Sequence, residues 1–243
     1  LAAGIDAKNI ITYDEKAPDA NYNNPEKMLK ERLPKTLVVS PGMPLSTPWI
    51  KNFADSGGTI TSELSMAWKF LDKGGVLGFS GGLVKSSIVS ILGGGLGMFS
   101  LRFLVGGDLG IPLATYAYER VQGKRPMAEW LVLELSSFQL ENTAPLSCEV
   151  SAITYLTGNH LDRYRDLQHY YKTKWHLVNC TTKAVVLNRN GGDLEKVAHT
   201  YSSGGVQSPK AKIIFADRED ALVAAHDFVH AKLIGSHNLD NLA

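Results

Sequence analysis

The run Gly75-Val-Leu-Gly-Phe-Ser-Gly-Gly-Leu-Val-Lys-Ser-Ser87 decides the fold. Its first part, Gly75 to Phe79, is a short apolar stretch of the kind that forms a buried strand. Ser80-Gly81-Gly82 breaks the run, and Ile88, Ile91 and Leu92 then recur at i, i+3 and i+4, on one face of a helix. The glycines at 93, 94 and 95 keep that helix short, because each costs about 1 kcal/mol against Ala. A glycine turn between strand and helix aims backbone N–H groups at one spot, where the helix dipole adds positive charge. Lys85 then offers a charge to β/γ-phosphates, and Ser86 or Ser87 a hydroxyl to Mg2+. Gly81, Gly82, Lys85, Ser86 and Ser87 are therefore candidate nucleotide-binding residues. Val84 stands where a P-loop has Gly before the Lys, and a β-branched residue resists positive φ. Two readings stay open on these residues, a phosphate cradle and a plain βα turn.

Working outward, strand-like and helix-like runs alternate. Upstream, the sequence predicts a strand over Asn9–Tyr13, a helix over Pro25–Leu33 with Met28 and Leu29 inward, and a strand over Thr36–Ser40. Thr47 is placed to cap a helix with Pro48 at its first position. A strand over Ile60–Ser62 follows, with Ser62 capping a helix through Leu64, Trp68 and Leu71. Downstream, strands are expected over Leu101–Val105, Leu131–Leu135, Val150–Leu156, Ala184–Leu187 and Ile213–Ala216. Helices are expected over Ala114–Val121 and Leu167–Val178, while Ala221–Val229 reads as helix or hairpin. Repeated βα units argue for an α/β fold, a parallel sheet, mixed at an edge, with helices on both faces.

The bulk numbers exclude several function classes. A chain of 243 residues suits one large or two modest domains. Its net charge of +1 gives no electrostatic case for nucleic acid or an anionic membrane. Two cysteines, Cys148 and Cys180, lack metal-type spacing and read as reduced thiols of a cytoplasmic protein. The longest uncharged stretch, Ser86 to Leu101, is shorter than the roughly 20 residues of a membrane span. No signal peptide is visible, and both ends read as cut, the first as a helix tail and the last as a helix start.

A second signal is Leu133-Glu134-Leu-Ser-Ser-Phe-Gln-Leu-Glu141, which sets a carboxylate in an apolar strand. A buried charge is costly unless paired or metal-bound. Ligands of parallel α/β sheets sit at the carboxyl ends of strands. Asn159-His160-Leu-Asp-Arg163 follows another apolar strand, so Glu134 and His160 are candidates to share a cation. The plainer alternative is a salt-bridged core Glu and a surface His.

Taken in order, Ser40-Pro-Gly42, the glycine loop with Lys85, Gly106-Gly-Asp108-Leu-Gly110, the Glu134–Glu141 run, His160-Leu-Asp-Arg163, Tyr171-Lys-Thr-Lys174 and Gly235-Ser-His-Asn238 resemble the Mur ligase family over nearly the whole chain. The Glu134–Glu141 run is similar to the branch that adds D-glutamate to UDP-N-acetylmuramoyl-L-alanine in peptidoglycan synthesis. The resemblance implies a partial Rossmann-like UDP-substrate domain over residues 1–70 and a P-loop-type central ATP-binding domain over 71–243. The C-terminal amino-acid-binding domain is expected to be absent. It implies ATP with Mg2+ or Mn2+ as cofactors, D-glutamate and UDP-N-acetylmuramoyl-L-alanine as partners, and a monomer. By position, Lys85, His160 and Lys174 are the expected catalytic residues. Asn238 and Asn241, with His237 beside them, match contacts to adenine or ribose. Ser86, Glu134, His160 and Lys174, the last as a carbamate, match metal ligands. Asp14, Ser40, Gly42, Asp108 and His160 match the substrate side. The chain departs from the family at Leu83 and Val84, at Asp108 for Asn, and at Asn159 for Asp. A non-catalytic scaffold of the same fold is therefore the alternative to a ligase. A third reading, a sister ligase acting on folate, lacks the Ser136-Ser-Phe-Gln-Leu-Glu141 run and Ser40-Pro-Gly42.

Overall fold

The computed structural model describes residues 5–71, 74–81, 101–108, 110–144, 146–202 and 209–217. The expected helix around 88–92 and the ambiguous segment 221–229 lie outside these residues.

Two parallel sheets organise the chain. The first is small: β1 (Thr36–Val39) pairs with β2 (Thr59–Ser62). Helix α1 (Pro25–Arg32) precedes it, capped by Asn24, whose side chain accepts from Lys27 N. Helix α2 (Pro48–Asp55) connects the strands, with Pro48 at its first position. Thr47 holds the N-cap position, but its hydroxyl donates to the Pro44 carbonyl instead of accepting from the helix. Ser62 caps α3 (Glu63–Trp68) as expected, accepting from Ser65 N.

The second sheet has six strands in the order β4-β5-β3-β6-β7-β8. These are β3 (Gly75–Ser80), β4 (Phe103–Gly107), β5 (Trp130–Glu134), β6 (Cys148–Ile153), β7 (Thr181–Asn188) and β8 (Lys212–Ala216). Every pairing between described strands is parallel, so the mixed edge allowed for in the sequence has no counterpart among them. Helices α4 (Leu113–Val121), α5 (Ser137–Leu140), α6 (Leu167–Asn179) and α7 (Leu194–Ser202) complete the described elements.

Side-chain alternation assigns the faces. Val76, Leu104, Leu131 and Leu133 share one buried cluster with α3, α4 and Leu177 of α6. Val185 and Leu187 pack against α6 and α7. Phe79 and Val132, with Leu77, Val105 and Ala152 beside them, form a separate cluster on the opposite face. That face is also shielded from water, Val132 being 0% exposed.

One expected element is corrected. Residues 9–13 form no strand: Asp6 accepts from Lys8 N and winds Ala7–Asn9 into a 3-10 turn. Beyond it, only Tyr13 bridges to Tyr22. An apolar run becomes a strand only when another strand is there to satisfy its backbone.

Candidate functional site

The site grows from the strand order. Chain order reverses at β3, which lies between β5 and β6, and the carboxyl end of the central strand at such a reversal is where open α/β sheets bind ligands. β3 ends there in Ser80, and Gly81 follows it. Leu135 N donates to Phe79 O at 2.7 Å and Thr154 N to Ser80 O at 3.0 Å, so both neighbours hold the strand to its last residue. Ser80 Oγ donates to Leu135 O at 2.8 Å. A Cβ at position 81 would lie 2.1 Å from Thr154 Oγ1, which is why the chain has no side chain at this exit.

Lys174 reaches the same point from α6. Its Nζ lies 3.1 Å from the Gly81 carbonyl and 3.3 Å from Ser80 Oγ, with the side chain 2% exposed. Asp166 starts α6 by accepting from His169 N. Two turns later the helix presents Lys174, alongside the Tyr170 ring at 5.4 Å. Burial pushes the Tyr170 phenol up to about 12, so it stays protonated and neutral there.

Glu134 ends β5, 3% exposed. Its carbonyl accepts from Asp108 N at 2.9 Å, which draws the turn after β4 over the site. Gly107 makes that approach, at a φ of 103°. A capping box then turns the chain into α5: Ser136 accepts from Gln139 N, and Gln139 Oε1 accepts from Ser136 N. The Ser-x-x-Gln spacing was legible in the sequence, although the four-residue helix was not expected.

His160 lies on the exposed turn after β6, at a left-handed φ of 53°. Its ring stacks against Phe138 of α5, with centroids 5.0 Å apart. It thus borders the helix that follows Glu134. Among the described residues, no three or more His, Cys, Asp or Glu side chains converge as a ready metal nest. Mg2+ asks for less, since one or two carboxylates plus substrate phosphates suffice. Glu134 is one such carboxylate at the end of β5, and His160 packs on the helix that follows it.

The other expected residues divide. Gly82, Lys85, Ser86, Ser87, His237, Asn238 and Asn241 lie outside the described residues. Asp108, on the turn after β4, is exposed, and so is Ser40, just after β1. Asp14 is exposed and occupied locally: its Oδ1 accepts from Lys16 N and Ala17 N, which holds its carboxyl below the usual aspartate range. Gly42 contributes a carbonyl to Arg163, a contact that sequence reading missed. Arg163 and Glu141 stood at the ends of two quoted motifs with no role assigned, and the structure pairs them at 2.7 Å.

Comparison with known proteins finds sequence relatives over most of the chain. A family model described as the Mur ligase middle domain matches residues 112–243. The UDP-N-acetylmuramoylalanine--D-glutamate ligase of Synechococcus sp. (strain CC9902) is 31% identical over 166 residues, 68% of this chain and 35% of that one. The enzyme of the same name from Shewanella oneidensis is 30% identical over 217 residues, 85% of this chain and 46% of that one. This chain therefore spans between a third and a half of the length of these relatives. A solved UDP-N-acetylmuramate:L-alanyl-gamma-D-glutamyl-meso-diaminopimelate ligase from Neisseria meningitides aligns with a TM-score of 0.48 at 16% identity, covering 78% of this chain and 60% of that one.

Proposed function

This chain belongs to the Mur ligase family, and from that premise we propose that it is the ATP-handling part of a ligase that joins D-glutamate to UDP-N-acetylmuramoyl-L-alanine. The observation that carries the reading is the meeting of Ser80, Gly81 and buried Lys174 at the carboxyl end of the central strand, with Glu134 ending the strand beside it. That is where a parallel sheet offers phosphate and metal ligands.

The reaction is ATP-driven amide formation. The alanyl carboxylate attacks the γ-phosphate, ADP leaves, and the amine of D-glutamate attacks the resulting acyl phosphate to release phosphate. The obstacle is repulsion between an anionic nucleophile and an anionic phosphate. Lys85 offsets it as a fixed charge beside the transferring oxygens. Lys174 fixes the point where the glycine loop leaves β3, unmodified as seen here or as a carbamate. Glu134, His160, Ser86 and a carbamylated Lys174 are the residues that would hold Mg2+ or Mn2+. The metal, when bound, supplies charge neutralisation and orientation of phosphate oxygens. Asn238 and Asn241 are assigned to adenine or ribose, and Asp14, Ser40, Gly42 and Asp108 to the sugar nucleotide. The same reading takes the protein as a bacterial cytoplasmic monomer. Among the described residues no helix is long and apolar enough to cross a membrane.

Val84 and Asp108 motivate a second reading, a scaffold that has lost nucleotide binding. Calorimetry separates the two. The ligase reading expects Mg·ATP to bind this chain, and Lys85→Ala and Lys174→Met each to weaken binding by about tenfold or more. Intact protein is expected to consume ATP only when both muramoyl substrate and D-glutamate are present. Turnover with a different amino acid and none with D-glutamate would sink the substrate assignment. Absence of Mg·ATP binding, restored by Val84→Gly with Asp108→Asn, would establish the scaffold.

A further inference from the structure

Arg163 sits at the junction of three segments far apart in the chain. Its Nη1 donates to the Gly42 carbonyl at 2.9 Å, and its Nη2 reaches the Met43 carbonyl at 3.4 Å. Nη2 and Nε also donate to Glu141 Oε2, at 2.7 and 3.2 Å. The guanidinium carbon lies 4.2 Å from the centre of the Phe138 ring, whose centroid is 5.0 Å from that of His160. Backbone bonds close the remaining sides: Arg163 N and Tyr164 N both donate to His160 O, and Met43 N donates to Ser40 O. The Arg163 side chain is only 7% exposed and Glu141 18%.

We propose that Arg163 is a positioning residue that registers the Ser40–Met43 turn, at the carboxyl end of the small sheet, with the His160 turn at the carboxyl end of the large one. The identity of what is aligned, sugar nucleotide on one side and phosphates on the other, rests on the function proposed above. The clamp itself rests on the contacts alone.

The chemistry requires arginine. Three oxygens on two segments are met by one planar fork of donors, while its face lies on Phe138. Lysine offers a single rotatable ammonium and cannot serve Gly42, Met43 and Glu141 together. Glu141 neutralises the buried cation and orients it, which a carbonyl alone does not do. His160 pays for its left-handed backbone with strain that a packed surround must hold. The Arg163–Phe138 stack supplies that surround, so a displaced guanidinium frees both the 40–43 turn and the His160 ring.

The test uses intact protein carrying Arg163→Lys, Arg163→Met or Glu141→Gln. Amide exchange is followed in segments 40–44 and 158–166, together with KM for the muramoyl substrate and for ATP. Arg163→Lys is expected to melt close to wild type and to exchange about tenfold faster in both segments together. Its KM for the muramoyl substrate is expected to rise about tenfold or more, while that for ATP stays within about twofold. Faster exchange in one segment only, or in neither, overturns the clamp. So does a fall in kcat that leaves both KM values unchanged and tracks lost folded protein. If wild-type protein forms no amide product, the functional reading fails, and joint or separate exchange of the two segments still decides the clamp.

Discussion

At the scale of single residues, the site depends on atoms that are absent as much as on those present. Gly107 holds a φ of 103°, and a Cβ there would lie 2.1 Å from the Glu134 carbonyl oxygen. Gly123 also has a positive φ, 66°, but a Cβ there meets nothing within 4 Å. Substituting each by alanine separates backbone strain from collision. Gly107→Ala is expected to cost roughly 1–3 kcal/mol more than Gly123→Ala in urea unfolding, because it adds collision to strain. Equal costs would mean that the turn after β4 moves freely away from Glu134. A thiol gives a second residue-level expectation. Burial, and then the neighbouring Cys180, push Cys148 up to about 12. The raised value leaves the folded thiol protonated where the unfolded one ionises, so this group's share of stability is intact below about pH 9 and declines toward 12. Alkylation followed by mass spectrometry at pH 8 should label Cys180 before Cys148; the reverse order would contradict the burial.

At the scale of elements, caps decide where the functional side chains come to rest. Asp166 opens α6, and Lys174 rides on that helix. The His169 backbone N–H, with Arg165 alongside, holds the Asp166 carboxyl below its usual 3.8. Because this pKa is lowered, the cap stabilises fully above the unfolded value and is lost as pH falls through the folded one. Asp166→Ala should lower the melting midpoint by a few degrees at pH 7 and flatten its acid dependence, whereas Asp166→Asn keeps an acceptor and most of the midpoint. A melting curve unchanged in Asp166→Ala would show that tertiary packing alone sets the start of α6. Elements were legible in the sequence where packing and pattern agree. Buried parallel strands are nearly continuous apolar runs, so Gly75–Phe79 and Leu131–Leu135 stood out. Asn9–Tyr13 has the same pattern but no strand beside it, and it stayed irregular. Leu194, Val197 and Ala198 fall at helical spacing in α7, a pattern that was readable but not read. The meeting of Lys174 with Ser80 depends on strand order across 94 residues, which local pattern does not encode. Motif resemblance pointed at Lys174, and the fold supplied its partners.

At the scale of the whole molecule, the question is where the central unit begins. A division at residue 70, proposed on motif order, falls just beyond α3. Yet Leu64, Ala67, Trp68 and Leu71 belong to the same buried cluster as Val76, Leu104, Leu113 and Leu131 of the large sheet and α4. The dependence also runs through the backbone. Helix α4 has Pro112 at its N-cap, with no side-chain cap of its own, and Glu63 of α3 accepts from Ala114 N instead. Leu64, Trp68 and Leu71 each bury a large apolar side chain, at about 1.5–3 kcal/mol apiece. Together that is comparable to the roughly 5–15 kcal/mol by which a domain is stable at all. A chain beginning at residue 72 is therefore expected to lose cooperative melting and expose apolar surface to a dye, while one beginning at residue 59 keeps α3 and melts near the full-length midpoint. Identical melting of the two would mean that α3 is dispensable to the large sheet, and that the unit begins at β3. If the longer piece alone melts cooperatively, α3 is the structural first element of the central unit. The link between the two sheets is then a shared core, and Arg163 clamps halves that are already packed together.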